Sequence, residues 1–192
     1  MKPEIKICGV NDAAFAAEAE RLGADYLGFI FAEGSPRRVT AKSVVAIRRG
    51  LRGTARCVGV FTGATVPEII VQARVCGLEI VQLHRRASVR DVSELRSSGF
   101  EVWTLAGGAA GAAVLFDSSH GDGETVLRKG PHKSVLAGGI SAVNIGTAIR
   151  SGADVIDVSG SLESSRGIKS IERLKEFFVA VEVAKRKEEG KC

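Results

Sequence analysis

The sequence predicts an α/β fold: one compact (β/α)8 TIM barrel over residues 1–192, with shortened fifth and sixth crossovers. Three observations predict it. Eight short apolar runs alternate with helical patterns along the whole chain, which points to a parallel sheet with helices outside. Most runs are β-branched and apolar throughout, as strands buried on both faces are. Two glycine-bearing turns, after Ser134 to Ala137 and after Val155 to Val158, fall in the last third. In a barrel of this type the turns after strands seven and eight form a phosphate site.

The predicted strands are Ile5 to Cys8, Tyr26 to Phe31, Arg56 to Phe61, Ile80 to Leu83, Glu101 to Leu105, Ala113 to Phe116, Ser134 to Ala137 and Val155 to Val158. Between them, Asn11 is read as the cap of the first helix and Gly23 as its stop. Thr40 opens the second, to about Leu51, and Thr65 with Pro67 starts the third. Ser88 begins the fourth, ending near Ser97, and Ser141 is read as the cap of the seventh, which stops at Gly152. Ser170 caps the last, from Ile171 to about Lys187. The fifth crossover, Ala106 to Ala112, is too rich in glycine and alanine for a full helix, and Glu124 to Lys129 allows one or two turns in the sixth.

Composition narrows the function. With 192 residues and 45% hydrophobic content the chain buries a substantial core. No apolar run approaches a membrane span, and Met1 to Glu4 leads into a strand without a signal-peptide pattern. The expectation is a cytoplasmic protein without a membrane partner. Cys8, Cys57, Cys76 and Cys192 show neither CxxC nor metal-ligand spacing, so no metal is expected. Net charge is +5 and the pI about 9.2, but the excess is scattered, as at Arg48, Arg49 and Arg52. A single Tyr and a single Trp give no stacking platform, so nucleic acid is not an expected partner. A modest positive field suits an anionic substrate.

Chemistry in such barrels sits at the C-terminal strand ends. There, Cys8 closes strand one beside Gly9, where a thiol with a pKa brought near neutrality can serve as base or nucleophile. Asp117 closes strand six after three apolar residues, a setting that raises a carboxyl's pKa and suits a proton donor. Arg37, with Arg38 in the loop after strand two, is placed to clamp a carboxylate. Gln82 and His84 end strand four and are candidate substrate contacts. Gly138 and Gly139 after strand seven, with Ser159, Gly160 and Ser161 after strand eight, are candidate phosphate-binding residues. Backbone N–H groups would do that work, because neither turn holds a lysine or arginine. Asp157, one residue inside strand eight, is read as structural, as are Cys57 and Cys76. Gly121-Asp122-Gly123 is either a lid or a tight turn.

These residues, in this order, resemble the phosphoribosylanthranilate isomerase family of tryptophan biosynthesis. The resemblance runs through Lys6-Ile7-Cys8-Gly9-Val10, Gly28-Phe29-Ile30-Phe31, Ser35-Pro36-Arg37-Arg38-Val39, Val81-Gln82-Leu83-His84, Leu136-Ala137-Gly138-Gly139-Ile140 and Asp157-Val158-Ser159, with Glu163 and Gly167-Ile168-Lys169 beyond. It implies a cofactor-free Amadori rearrangement of a phosphorylated small molecule, N-(5-phosphoribosyl)anthranilate. By the same resemblance Asp117 is the general acid on the ribose ring oxygen, Cys8 the general base on C2′, and Arg37 the holder of the anthranilate carboxylate. Three departures from the family pattern stand out, one of them the abbreviated fifth crossover. Ser159-Gly160-Ser161-Leu162-Glu163 exchanges a serine and a glycine, which implies an altered φ/ψ pattern, and the segment after Asp117 is short. The related sugar isomerases of histidine biosynthesis carry a carboxylate base at the end of strand one, where this chain has Cys8. A non-catalytic phosphate-binding barrel has no need of Cys8 and Asp117 together.

Overall fold

The computed structural model describes residues 2–109, 111–117 and 132–189. Eight strands, β1 (Glu4–Cys8), β2 (Tyr26–Ile30), β3 (Arg56–Phe61), β4 (Ile80–Leu83), β5 (Glu101–Leu105), β6 (Ala113–Asp117), β7 (Lys133–Ala137) and β8 (Val155–Val158), form a closed barrel in sequence order. All neighbours are parallel, and β8 closes on β1 with Ile5 opposite Ile156 and Lys6 opposite Asp157. The barrel expected from the alternating pattern is the one found, each strand within a residue of its expected bounds.

Alternation along the strands divides the apolar side chains between two cores. Tyr26, Val58, Ile80, Trp103, Leu115, Val135 and Val155 point inward and fill the barrel. Ile5, Ile7, Leu27, Phe29, Val81, Val102 and Ile156 point outward. They pack under helices α1 (Ala13–Arg21), α2 (Ala41–Arg48), α3 (Val66–Cys76) and α4 (Val89–Ser97), under a six-residue α5 (Ile145–Arg150), and under α6 (Ile171–Glu189). At the N-terminal end of the barrel the Glu4 carboxylate accepts from Tyr26 Oη at 3.0 Å and Lys133 Nζ at 2.5 Å. Glu101 there accepts from Arg56 and from Trp103 Nε1. This polar plug closes the bottom and leaves the top, where the strands end, as the open mouth.

Thr40, Thr65 and Ser88 begin helices as expected, each paired with the residue three positions on, Ser43, Glu68 or Asp91. Two caps differ. Asp12, not Asn11, caps α1, its carboxylate accepting from Phe15 N at 2.7 Å. Asn11 lies one residue too early and instead donates to the Gly167 carbonyl at 2.9 Å. Ser141 does not start a helix: α5 begins only at Ile145 behind Asn144. The Asn144 side chain folds back to Ser141 N and the Gly139 carbonyl, so the intervening residues form turns.

The fifth crossover holds no helix among its described residues. The chain runs flush along β5 instead, with Ala112 N donating to the Val102 carbonyl at 2.7 Å and Gly111 N to Thr104 Oγ1 at 3.2 Å. Gly111 is required by that approach: a Cβ there would sit 2.1 Å from the Val102 oxygen. The expected short helix at Glu124 to Lys129 and the Gly121-Asp122-Gly123 turn lie outside the described residues. One element was not expected, a small antiparallel hairpin of β9 (Glu163–Ser165) and β10 (Ile168–Lys169) after β8.

Candidate active site

A cavity of about 390 Å³ opens at the C-terminal end of the strands. Cys8 from β1, Gln82 and His84 from the end of β4, Asp117 from β6 and Arg37 from the loop after β2 all line it. So do Gly138 and Gly139 after β7, and Ser159, Gly160 and Ser161 after β8. These ten candidates are therefore gathered at one mouth, whereas Arg38 lies outside its lining. Cys57 and Cys76 do not line it. Burial pushes the Cys57 thiol up to about 11.

Strands β6, β7, β8 and β1 are consecutive around the barrel. Asp117 and Cys8 thus flank the two glycine turns. Those turns are stitched together: Ser161 Oγ donates to the Ile140 carbonyl at 2.5 Å, and Ser159 Oγ to the Cys8 carbonyl at 3.0 Å. Gly138 and Gly139 adopt φ of 96° and 61°, open to glycine at little cost. Gly160 and Ser161 carry no positive φ and form a short 3-10 turn, so the exchanged serine and glycine meet no steric obstacle.

Cations reach the second turn from outside it, which corrects the expectation that side-chain charge plays no part there. Lys169 Nζ donates to the Ser159 carbonyl at 3.0 Å, and Arg37 Nη2 lies 3.5 Å from where a Gly160 Cβ would stand. Glu163 holds both cations. It accepts from Arg37 Nε and Nη2, from Gly167 N at 3.0 Å, and pairs with Lys169 at 3.3 Å. Burial pushes the Glu163 carboxyl up, but these donors outweigh it and bring it to about 2. Arg37 therefore spends its Nε–Nη2 edge on Glu163 and presents the Nη1 side elsewhere. Gly9 makes room for it, since a Cβ there would sit 2.6 Å from Arg37 Cδ.

Beneath Cys8 lies a buried ion pair. Lys6 and Asp157 point inward from neighbouring strands, and Lys6 Nζ donates to Asp157 Oδ2 at 2.6 Å. Asp157 also lines the cavity. Burial disfavours charge on Lys6, yet the Asp157 carboxylate beside it raises the Lys6 pKa, so the ammonium form prevails. Cys8 and Lys6 share the space left by Gly28: a Cβ there would stand 3.0 Å from Cys8 Sγ and 3.3 Å from Lys6 Cε. Burial pushes the Cys8 thiol up, and Lys6 and Lys169 pull it back without cancelling that effect. That direction runs against the near-neutral pKa that base or nucleophile chemistry asks of a thiol.

Lys6 and Asp157 were legible as anomalies. Each is a charge inside an otherwise apolar strand, spaced by two from residues that face the barrel interior. Glu163 and Lys169 belong to a hairpin that no apolar periodicity announces.

The N-(5'phosphoribosyl)anthranilate isomerase family model matches residues 5–180. The chain belongs to that family. It is accordingly an isomerase of tryptophan biosynthesis. Among the family's members, N-(5'-phosphoribosyl)anthranilate isomerase of Bacillus cereus strain ATCC 14579 is 36% identical over 91% of this chain and 96% of its own length. That of Granulibacter bethesdensis is 32% identical over 94% and 99%. Among solved structures, phosphoribosyl anthranilate isomerase from Thermus thermophilus superposes with a TM-score of 0.83 at 27% identity, over 94% of this chain and 98% of that one. A further family structure, at 24% identity and a TM-score of 0.80 over 94% and 99%, is a complex with reduced 1-(o-carboxyphenylamino)-1-deoxyribulose 5-phosphate.

Proposed function

We propose that this mouth carries out the Amadori rearrangement of N-(5-phosphoribosyl)anthranilate by general acid–base chemistry, with residues 1–192 as one catalytic domain. The observation that carries the proposal is the placement of a carboxyl, two anion-ready turns and a thiol on four consecutive strand ends around one cavity. Asp117 protonates the ribose ring oxygen. The C1′–O bond breaks, its electron pair stays on that oxygen, and the nitrogen lone pair forms the C1′=N bond. Cys8 then takes the C2′ proton, the C–H electrons form C1′=C2′, and the C1′=N pair returns to nitrogen. The enolamine loses its hydroxyl proton and gains one at C1′ to give the ketone.

Gly138, Gly139, Ser159, Gly160 and Ser161 hold the phosphate, with Lys169 and Arg37 adding positive charge behind the second turn. Arg37 receives the anthranilate carboxylate on its Nη1 side, while Glu163 fixes its orientation. Gln82 and His84 contact the body of the substrate. The complex of the family structure with a reduced phosphorylated product analogue supports this choice of ligand. A reducing, cytosolic setting accords with three buried free cysteines. No helix among the described residues is long and apolar enough to cross a membrane. The test is loss of anthranilate fluorescence when freshly prepared substrate is mixed with the protein. Turnover at rates typical of enzymes supports the proposal, and no change over the uncatalysed background sinks it.

A further inference from the structure

The cavity floor carries two acceptors to which the described residues give no donor. Gln82 Oε1 and Asp157 Oδ1 are enclosed and unpartnered among the described residues. The two residues are 2% and 8% exposed, and both line the cavity. Leaving a buried acceptor unpaired is unfavourable, so native proteins rarely do it without a reason. The second oxygen of Asp157 is already taken by Lys6 at 2.6 Å, which fixes the direction in which Oδ1 looks. Gln82 stands on β4 and Asp157 on β8, half a circuit apart in the closed sheet. The two oxygens therefore approach a ligand on the barrel axis from opposite walls.

Acceptors ask for donors. A phosphate or a carboxylate offers none at neutral pH, and the Asp157 carboxylate repels both. A sugar chain offers hydroxyls, and an extended polyol turns neighbouring hydroxyls to opposite sides. We propose that Gln82 Oε1 and Asp157 Oδ1 accept hydrogen bonds from two neighbouring hydroxyls of the sugar portion of the substrate, with Lys6 as the positioning residue that fixes the Asp157 carboxylate. This rests on the isomerase reading and names the part of that substrate the floor recognises. The same acceptors then make the site selective for a ribose-derived chain over its deoxy counterparts.

Binding calorimetry on the whole protein tests the assignment. The ligands are the reduced open-chain product analogue and its two counterparts lacking the hydroxyl at sugar carbon 2 or carbon 3. The wild type should lose roughly ten- to hundred-fold in affinity for each hydroxyl removed. Gln82→Leu should cease to discriminate against one of the deoxy ligands. The paired change Lys6→Met with Asp157→Leu should cease to discriminate against the other. That pair substitutes apolar side chains for a buried ion pair, a replacement that proteins commonly tolerate, and Gln82→Leu serves as an independent arm. Inorganic phosphate should bind both variants as it binds the wild type. Full discrimination surviving in the variants overturns the proposal while leaving the isomerase reading intact. A wild type that does not bind the reduced analogue at all overturns the isomerase reading, and this inference with it.

Discussion

Cys8 shows how far a single residue's surroundings decide its chemistry. Its thiol is buried, and that burial raises its pKa against the pull of Lys6 and Lys169. The base form is therefore scarce at neutral pH and grows as pH rises. Activity should climb with pH past neutrality, without a plateau below the ordinary thiol range, and a kcat/KM profile that is flat from pH 6 to 9 would remove Cys8 as the base. Cys8→Ala should cost roughly 10²–10⁴-fold in kcat while leaving affinity for the reduced product analogue within a few-fold. A variant that keeps a tenth of wild-type turnover would refute the role. Gly28 belongs to the same account, because the Cβ it lacks would press on both Cys8 Sγ and Lys6 Cε.

At the scale of elements, the glycine turns after β7 and β8 divide the work of holding an anion. Gly139 is exposed with open space around its missing Cβ, and its φ is 61°. A side chain there costs roughly 1–2 kcal/mol in backbone strain but its Cβ meets nothing among the described residues, so Gly139→Val should fold. It should nevertheless weaken substrate and inorganic phosphate together, by ten-fold or more, because the added methyls stand where an anion must approach the N–H groups. Unchanged phosphate competition would place the anion elsewhere. Much of this was legible beforehand: strand order, both turns, and the caps at Thr40, Thr65 and Ser88 follow from local patterns. The β9–β10 hairpin was not, because two strands of three and two residues leave no periodic trace. Nor was the clasp on Arg37, since a contact between residues 126 apart in sequence is written in tertiary geometry rather than in spacing. The pairing of Asp157 with Lys6 was hidden for the same reason: the two residues sit at opposite ends of the chain.

For the molecule as a whole, the hairpin after β8 must be tied to the rest of the barrel, and Glu163 is that tie. It joins the loop after β2 through Arg37 and the hairpin through Gly167 N and Lys169, while its carbonyl accepts from Arg173 of α6. The side chain is 5% exposed, so solvent screens these contacts little. Burial opposes the charge, but the Arg37 guanidinium, the Gly167 N–H and Lys169 hold the folded pKa at about 2, against 4.5 for the free group. A depressed carboxyl stabilises the fold fully above its unfolded pKa, and that contribution fades as pH falls through the folded value. The shift corresponds to ~3 kcal/mol at neutral pH, lost progressively between about pH 4.5 and pH 2. Urea unfolding of wild type and Glu163→Gln should then differ by about that amount at pH 7. The gap should narrow as the solution is acidified below pH 4.5 and nearly close by pH 2. A gap of the same size at pH 7 and pH 3 would mean that Glu163 contributes through shape and packing rather than through its charge.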